Sequence, residues 1–279
     1  MLFRRLKTPG LAHHSYVLEC VPGHAVVVDP RRDVQDYVRI ARENDLTLTH
    51  ILQTHRQEDF EYGSAALADA TGARIVSGES TLLERVDMRL KDGEELKVGS
   101  TRFVAHSTPG HTPESMSYAV YPETSPAVCW GVFTGDALFV GETGRTDLEH
   151  PSRTAENAGA LYDAIHRKLA PLGDQALIFP AHGSGSACGG NISDRDDSTI
   201  GIEKRTNPVF ILDREGFIAH KCGEKLPRPT YFTHMEEVNL RGGRPLPAAS
   251  HVRVIQPREF ARAAASGIVI DTRGPDAYA

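Results

Sequence analysis

Apolar runs and amphipathic stretches alternate along the first third of the chain and predict strands and helices in turn. Residues 15–20 and 24–30 are apolar runs on either side of a Val-Pro-Gly turn, which predicts a pair of strands. Residues 33–45 place apolar side chains at helical spacing, which predicts an amphipathic helix with Asp33 as its N-cap. The next predicted elements are a buried strand over residues 48–55, a helix over residues 61–73 that ends at Gly72, and a strand over residues 74–78.

Shorter apolar runs separated by Gly, Pro and Ser follow, and they predict a series of strands. These strands cover residues 94–98, 101–110, 115–122 and 127–135. Residues 154–173 then predict a long helix capped by Thr154, and residues 175–183 predict a further strand. This order of elements indicates two sheets that are covered on their outer faces by helices.

The last third of the chain is less regular. Residues 183–245 predict loops, a short helix and an extended cover over residues 226–240. A stretch that contains Gly and Pro then looks like a linker, and residues 252–273 read as strand, helix and strand. Because that segment is too short to bury a core of its own, we expect one domain over residues 1–245 and the start of a second domain over residues 246–279.

Composition and charge exclude several classes of function. The formal net charge is −6, and no Lys/Arg run exceeds a pair, so the chain lacks the concentrated basic face that nucleic-acid binding needs. No apolar stretch is long enough to cross a membrane, and the N-terminus has no apolar signal core. The four cysteines are widely spaced and form no CxxC pair. We therefore expect a cytoplasmic protein with reduced thiols, either as a monomer or as a homo-oligomer.

Candidate chemistry lies where apolar runs meet short polar turns. The residues in these positions are His55, Asp59, His111, Asp136 and His182. Such junctions are typical of buried strands that end at loops, where side chains from distant segments can converge. Imidazoles and carboxylates brought together in this way predict a metal site.

The motifs around these residues resemble those of the metallo-β-lactamase superfamily over roughly residues 1–245. They are His55-Arg56-Gln57-Glu58-Asp59-Phe60, Pro109-Gly110-His111-Thr112, Thr134-Gly135-Asp136 and Pro180-Ala181-His182-Gly183. Each is weak alone, but their occurrence together and in order is specific. The resemblance implies an α/β fold in the form of a four-layer αββα sandwich.

Two departures from the superfamily's H-x-H-x-D-H motif change the expected chemistry. Gln57 and Phe60 stand where that motif has histidines, so a pair of zinc ions around a hydroxide is hard to hold. His55, His111 and Asp136 remain, and they are similar to the two-His, one-carboxylate triad of non-haem Fe(II) oxygenases. We interpret Gln57, Asp59 and His182 as residues that orient the ligands of a single metal or as additional ligands. An ordinary polar residue at a loop end is the alternative interpretation of Asp59.

This triad and the longer runs around it resemble the persulfide dioxygenases, in particular the bacterial form fused to rhodanese domains. The matching runs are residues 108–118, 133–148 and 181–193, and residues 260–279 look like the beginning of a rhodanese-like domain. The resemblance implies one Fe(II) per chain and oxidation of a thiol persulfide, such as glutathione persulfide, by O2 to the thiol and sulfite. It also implies a sulfurtransferase domain as partner, in this chain or in a longer one.

Other polar residues near the motifs have alternative interpretations. Arg145 is a candidate for binding an anionic thiol carrier, or it pins its loop through an ion pair with Asp147. Cys188 either lies near the metal as a persulfide acceptor or is a buried, inert thiol. His13 and His14 precede a predicted strand, and we expect them to be exposed.

Two alternative functions remain open. One is a zinc-dependent hydrolase of a thioester or lactam, similar to glyoxalase II, with zinc at His55, His111, Asp136 and His182. The other is a catalytically silent metallo-β-lactamase-like module that tethers a rhodanese. Metal analysis separates them, because the silent module predicts no stoichiometric metal and no O2 uptake.

Overall fold

A computed structural model of the protein describes residues 2–244 and 255–271. The chain divides into two compact units, Met1–Pro245 and Leu246–Ala279. No helix in the described part of the chain has the length and apolar character that a membrane span requires.

Strands and helices alternate along the first unit much as the hydrophobic pattern predicts. The strands are β1 (Phe3–Thr8), β2 (His13–Val21), β3 (His24–Val28), β4 (Thr47–Leu52), β5 (Arg74–Gly78), β6 (Met88–Leu90), β7 (Glu95–Val98), β8 (Thr101–Ser107), β9 (Met116–Tyr121), β10 (Gly131–Gly135), β11 (Leu177–Pro180) and β12 (Ser198–Thr199). The helices are α1 (Gln35–Glu43), α2 (Ser64–Thr71), α3 (Thr154–Ala164), α4 (Ile200–Thr206), α5 (Pro208–Ile211), α6 (Arg214–Gly223) and α7 (Phe232–Leu240).

The strands form two sheets of six strands each. The first sheet has the order β1-β2-β3-β4-β5-β6, and the second has the order β12-β11-β10-β9-β8-β7. In the first sheet β3, β4, β5 and β6 pair in parallel, and in the second β10 and β11 are the parallel pair. Parallel strands end at the same sheet edge, so their following loops meet there.

Four layers follow from the way the apolar side chains pack. The two sheets face each other across a core that includes Tyr16, Val26, Phe103, Tyr118 and Phe133. Helices α1 and α2 pack on the outer face of the first sheet, and α3, α5 and α6 pack on the outer face of the second. These apolar layers give the expected αββα order and a mixed α/β fold.

The structure corrects two predicted helix caps and confirms a third helix end. Helix α1 begins after Val34, which makes no side-chain cap hydrogen bond, so Asp33 is not its N-cap. Thr154 is the first residue of α3 and not its N-cap. Its hydroxyl donates to the carbonyl of Pro151, which precedes the helix, and caps no N–H group of α3. Gly72 ends α2 with a left-handed φ of 75°, as predicted.

The least regular part of the sequence holds more helix than predicted. The extended cover expected over residues 226–240 is wrong for its second half, which forms α7. Helices α5 and α6 were also not predicted, whereas the short helix expected nearby is α4. Tertiary contacts stabilise these helices, and the sequence period alone does not indicate them.

The second unit contains helix α8 (Pro257–Ser266), which agrees with the helix of the predicted strand–helix–strand segment. The strand expected after it is not present over residues 268–271, the last described residues of the chain. The strand expected before it lies largely outside the described residues. The relation of this unit to a rhodanese stays a prediction.

Candidate metal centre

The predicted triad converges at the edge where the two sheets meet. His55 follows β4, Asp136 follows β10, and His111 lies in the loop between β8 and β9. Oδ2 of Asp136 lies 3.7 Å from Nε2 of His55 and 3.3 Å from Nε2 of His111. Each of these side chains is about 1 % exposed or less, so the cluster is held inside the protein.

Hydrogen bonds on the outer side of each imidazole fix which nitrogen faces the cluster. Nδ1 of His111 lies 2.9 Å from the carbonyl oxygen of Arg145, which can only accept, so Nδ1 carries the proton. Nδ1 of His55 lies 2.9 Å from the hydroxyl of Thr54, whose own proton goes to Asp29 at 2.7 Å. Nε2 of each ring is then an acceptor lone pair that points inward, which is the arrangement of metal-ligating histidines.

These inward nitrogens have no hydrogen-bond partner, and they face carboxylates. Nε2 of His55 and Nε2 of His111 are both buried without a hydrogen bond. Ligand atoms held about 2.1 Å from one metal ion lie about 3.0–3.4 Å from each other, which is close to the separations seen here. A lone pair next to a carboxylate is repulsive unless a proton or a metal ion lies between them. In the metal-free protein a proton on Nε2 of His111 takes this place, and the donor set fits a divalent metal that displaces it.

Glu58 contributes another carboxylate to this cluster. Its Oε1 lies 3.0 Å from Nε2 of His111, and the side chain is 1 % exposed. Burial lowers the pKa of His111 in the metal-free protein, but the charges of Glu58 and Asp136 outweigh it and raise that pKa to about 9. Burial likewise raises the pKa of Glu58, and the facing imidazoles outweigh it and lower that pKa to about 2.

Beside the triad, His182 connects two carboxylates. Its Nδ1 lies 2.8 Å from Oδ1 of Asp136, and its Nε2 lies 3.1 Å from Oδ2 of Asp59. Burial disfavours the cation of His182, but these two carboxylates outweigh it and hold its pKa well above the ordinary value. An imidazolium that donates to both Asp136 and Asp59 therefore stands beside the metal ligands. This arrangement brings Asp59 and His182 to the site and orients Asp136.

Cys188 and the two altered motif positions also lie at the site. The Sγ of Cys188 is within 4.8 Å of ligand atoms of Asp59 and His182. Burial raises the pKa of the Cys188 thiol well above its ordinary value, so the group is a neutral thiol. Nε2 of Gln57 lies 3.5 Å from Nδ1 of His55, on the outer side of the imidazole. The ring centroids of Phe60 and His13 are 4.0 Å apart.

Two glycines allow the ligands to approach each other. Gly135 has a φ of +54°, and a Cβ there would lie 2.7 Å from Oγ1 of Thr54. A Cβ at Gly144 would lie 2.9 Å from Nδ1 of His111 and closer still to the carbonyl oxygen of Asp136. A side chain at either position would displace a ligand or its support.

Arg145 holds the loops around the site together. Its Nε and one terminal nitrogen donate to Asp147 at 2.7 and 2.8 Å. Its terminal nitrogens also donate to the carbonyls of Ala187, Leu226 and Pro227. The nitrogens of Arg145 are thus directed at protein oxygens, which favours the ion-pair interpretation over the carrier-binding one.

Helix α7 covers the metal-binding loop. The amide of Asn239 donates to the carbonyls of Gln57 and Phe60, each at 2.7 Å, and accepts the N–H of Tyr62 at 2.9 Å. Tyr231, at the start of this helix, is 43 % exposed. Burial and then the charge of Asp59 raise the pKa of Tyr231.

The structure agrees with the predicted convergence of the site residues, whose role as metal ligands stays a prediction, and it corrects the expected exposure of two histidines. It brings together all the predicted motif residues, but His13 and His14 are buried, not exposed as predicted. The ring of His13 packs against Phe60 and His182, and the ring of His14 lies beside Gly183, so segments distant in sequence bury both histidines. Glu58 was not predicted from the sequence because the motif allows any residue at that position. Its acidic side chain between His55 and Asp59 could have indicated it. Asn239 had no sequence signal.

Comparisons with known proteins agree with this fold. No family model matches the chain. The human mitochondrial persulfide dioxygenase ETHE1 is 26 % identical over 260 residues, which is 89 % of this chain and 91 % of that protein. The hydroxyacylglutathione hydrolase of Pseudomonas savastanoi pv. phaseolicola is 30 % identical over 223 residues, or 71 % of this chain and 81 % of that protein.

Solved structures of similar proteins cover most of the chain. A metallo-β-lactamase from Staphylococcus aureus superimposes with a TM-score of 0.83 at 32 % identity, over 89 % of this chain and 75 % of that one. ETHE1 from Myxococcus xanthus superimposes with a TM-score of 0.75 at 33 % identity, over 88 % of this chain and 100 % of that one.

Proposed function

The chain belongs to the metallo-β-lactamase superfamily, and we propose that it is a single-iron member that oxidises a low-molecular-weight thiol persulfide with O2. The products are the free thiol and sulfite, so the overall reaction is R–S–SH + O2 + H2O → R–SH + sulfite + 2 H⁺. The similarity to persulfide dioxygenases of human and bacterial origin supports the substrate class.

The observation that carries the proposal is the asymmetry between the two halves of the site. On one side, Nε2 of His55 and Nε2 of His111 face Asp136 without hydrogen-bond partners. On the other side, both nitrogens of His182 are already engaged by Asp136 and Asp59. One metal ion fits the first half, whereas a second ion would have to replace the contacts of His182 with Asp136 and Asp59.

The residues present fit a non-haem iron. His55, His111 and Asp136 would hold the ion as a two-His, one-carboxylate triad. Iron(II) held there would activate O2 towards the persulfide, whose sulfur supplies the four electrons that reduce O2.

The surrounding residues hold that triad in place. The carbonyl of Arg145 orients the ring of His111, and the hydroxyl of Thr54 orients the ring of His55. Phe60 packs against His13 and Phe139 packs against His182, so apolar rings line the side of the site next to the triad.

The arrangement assigns no nucleophile to the protein. Cys188 is held as a neutral thiol, so it remains a candidate for contact with substrate rather than for attack on it. A rhodanese-like partner domain and a cytoplasmic location complete the proposal.

Anaerobic purification with iron, followed by metal analysis and O2 uptake with glutathione persulfide, tests this function. We expect about one iron per chain, sulfite as product, and loss of both iron and activity in His111→Ala, since two ligands hold a labile ferrous ion poorly. Full iron retention in His111→Ala would contradict the triad.

A zinc-dependent thioester hydrolase is the second candidate function, and the similarity to a hydroxyacylglutathione hydrolase favours it. It requires zinc at His55, His111, Asp136 and His182, and hence release of His182 from Asp59. Turnover of a glutathione thioester by the zinc-loaded protein, with no O2 uptake by the iron-loaded protein, would establish this alternative. A silent module would bind neither metal stoichiometrically.

A further inference from the structure

Glu58 has the surroundings of a metal ligand and not those of a structural carboxylate. Neither of its oxygens has a hydrogen-bond partner, although the side chain is buried, and its ion-pair partner is the candidate ligand His111, 3.0 Å away. Among the described residues no Lys or Arg forms an ion pair with it: the nearby Arg56 is paired with Glu114, and Arg145 is paired with Asp147.

The carboxylate of Glu58 shares one small volume with the triad. One of its oxygens lies within 4.8 Å of ligand atoms of both His55 and His111, and the same distance limit joins it to Asp136 and Cys188. Each pair among Glu58, Asp136, His55 and His111 thus has ligand atoms within 4.8 Å of each other. A buried pair of negative charges at this separation is costly unless a cation lies between them.

The backbone around Glu58 holds it in this position before any metal binds. The carbonyls of Gln57 and Phe60 are both fixed by the amide of Asn239. The N–H of Arg56 is fixed by the carboxylate of Glu114 at 2.9 Å. A side chain on such a braced loop keeps the precision that coordination requires.

We propose that Glu58 is a fourth protein ligand of the metal, beside His55, His111 and Asp136. This inference rests on the single-metal centre proposed above, but not on the reaction that the centre carries out. The second carboxylate balances the charge of a divalent ion, and it leaves one open position fewer than the facial triad. The centre should therefore bind its metal more tightly than a three-ligand site would.

Metal titration of matched variants tests the proposal. Metal-free wild-type protein, Glu58→Gln and Glu61→Gln are titrated anaerobically with Fe(II), and with Co(II) against a competing chelator. Glu61 is the control because it is a buried carboxylate of the same loop, but it pairs with Arg32 and Arg244. We expect Glu58→Gln to weaken metal binding at least about tenfold, and Glu61→Gln to leave the affinity within about threefold of wild type.

The visible spectrum of the Co(II) protein separates a ligand from a residue that acts indirectly. Loss of a ligand changes the coordination number or geometry and hence the Co(II) absorption bands. Weaker binding in Glu58→Gln with an unchanged spectrum would overturn the proposal, as would an unchanged affinity.

A structure of metal-loaded wild-type protein decides the matter if the variant does not fold. A Glu58 oxygen about 2.0–2.2 Å from the metal supports the proposal, and a separation above about 3 Å overturns it. Absence of persulfide oxidation would refute the proposed function while leaving these outcomes unchanged.

Discussion

Replacing Asn239 should uncouple helix α7 from the metal-binding loop. Its amide makes three hydrogen bonds to backbone groups of Gln57, Phe60 and Tyr62, and its side chain is fully buried. In Asn239→Ala the partners stay buried without a substitute. At about 1 kcal/mol per hydrogen bond, the loss is about 3 kcal/mol, and the cost of unsatisfied backbone groups raises it further.

Such a loss is a substantial fraction of the free energy of unfolding of a typical domain, which is about 5–15 kcal/mol. Urea unfolding of the metal-free protein measures it directly. Asn44→Ala is the control, because exposed Asn44 makes one hydrogen bond, to Ile40 at the end of α1. We expect that control to change the free energy of unfolding by less than about 0.5 kcal/mol.

Asn239→Asp separates hydrogen bonding from packing. Aspartate has nearly the same size, but it turns an oxygen towards the two carbonyls that Asn239 serves as donor. If hydrogen bonds matter, Asn239→Asp should be at least as unstable as Asn239→Ala, and metal affinity should fall about tenfold in both. A stable Asn239→Asp protein with wild-type metal affinity would refute the reasoning.

Four further predictions concern the same unit. Thr54→Val removes the acceptor behind His55 and should weaken metal binding about 10–100-fold in a chelator competition; an unchanged affinity would remove Thr54 from the site. Burial and Arg5 lower the pKa of His14 to about 4, below its unfolded value, so protons bind the unfolded chain first as pH falls. Stability should then decline between about pH 6.5 and 4 by up to about 3 kcal/mol, and His14→Gln should flatten that decline in urea unfolding. Gln57→His should keep or raise metal affinity, and complete loss of binding would give Gln57 a role of its own. Deleting residues 246–279 should leave the first unit folded and able to bind metal, as circular dichroism and metal analysis would show.

The layers of the fold could be predicted from the sequence because burial imposes a period on strands and amphipathic helices. The run that ends at His55 is apolar since β4 lies between two parallel neighbours, and Gly72 marks the end of α2 because only a residue tolerant of positive φ fits there. The same reasoning placed His55 and Asp136 at strand ends. It misjudged His13 because Phe60 and His182, which are distant in sequence, bury its ring, and local sequence does not show such contacts.

The support of the site could not be predicted in this way, because it depends on polar contacts between distant segments. Tyr62 and Asn239 are 177 residues apart in sequence, and their hydrogen bond leaves no local pattern. Helix α7 buries only Phe232 and Asn239 within its length, so its sequence shows little apolar periodicity. Hydrophobic patterning therefore does not predict α7, because one polar side chain, Asn239, holds it in place. The helix nevertheless stabilises the loop that carries His55 and Glu58. Sequence patterns predict candidate ligands in this fold, whereas only the structure shows which contacts keep them in place.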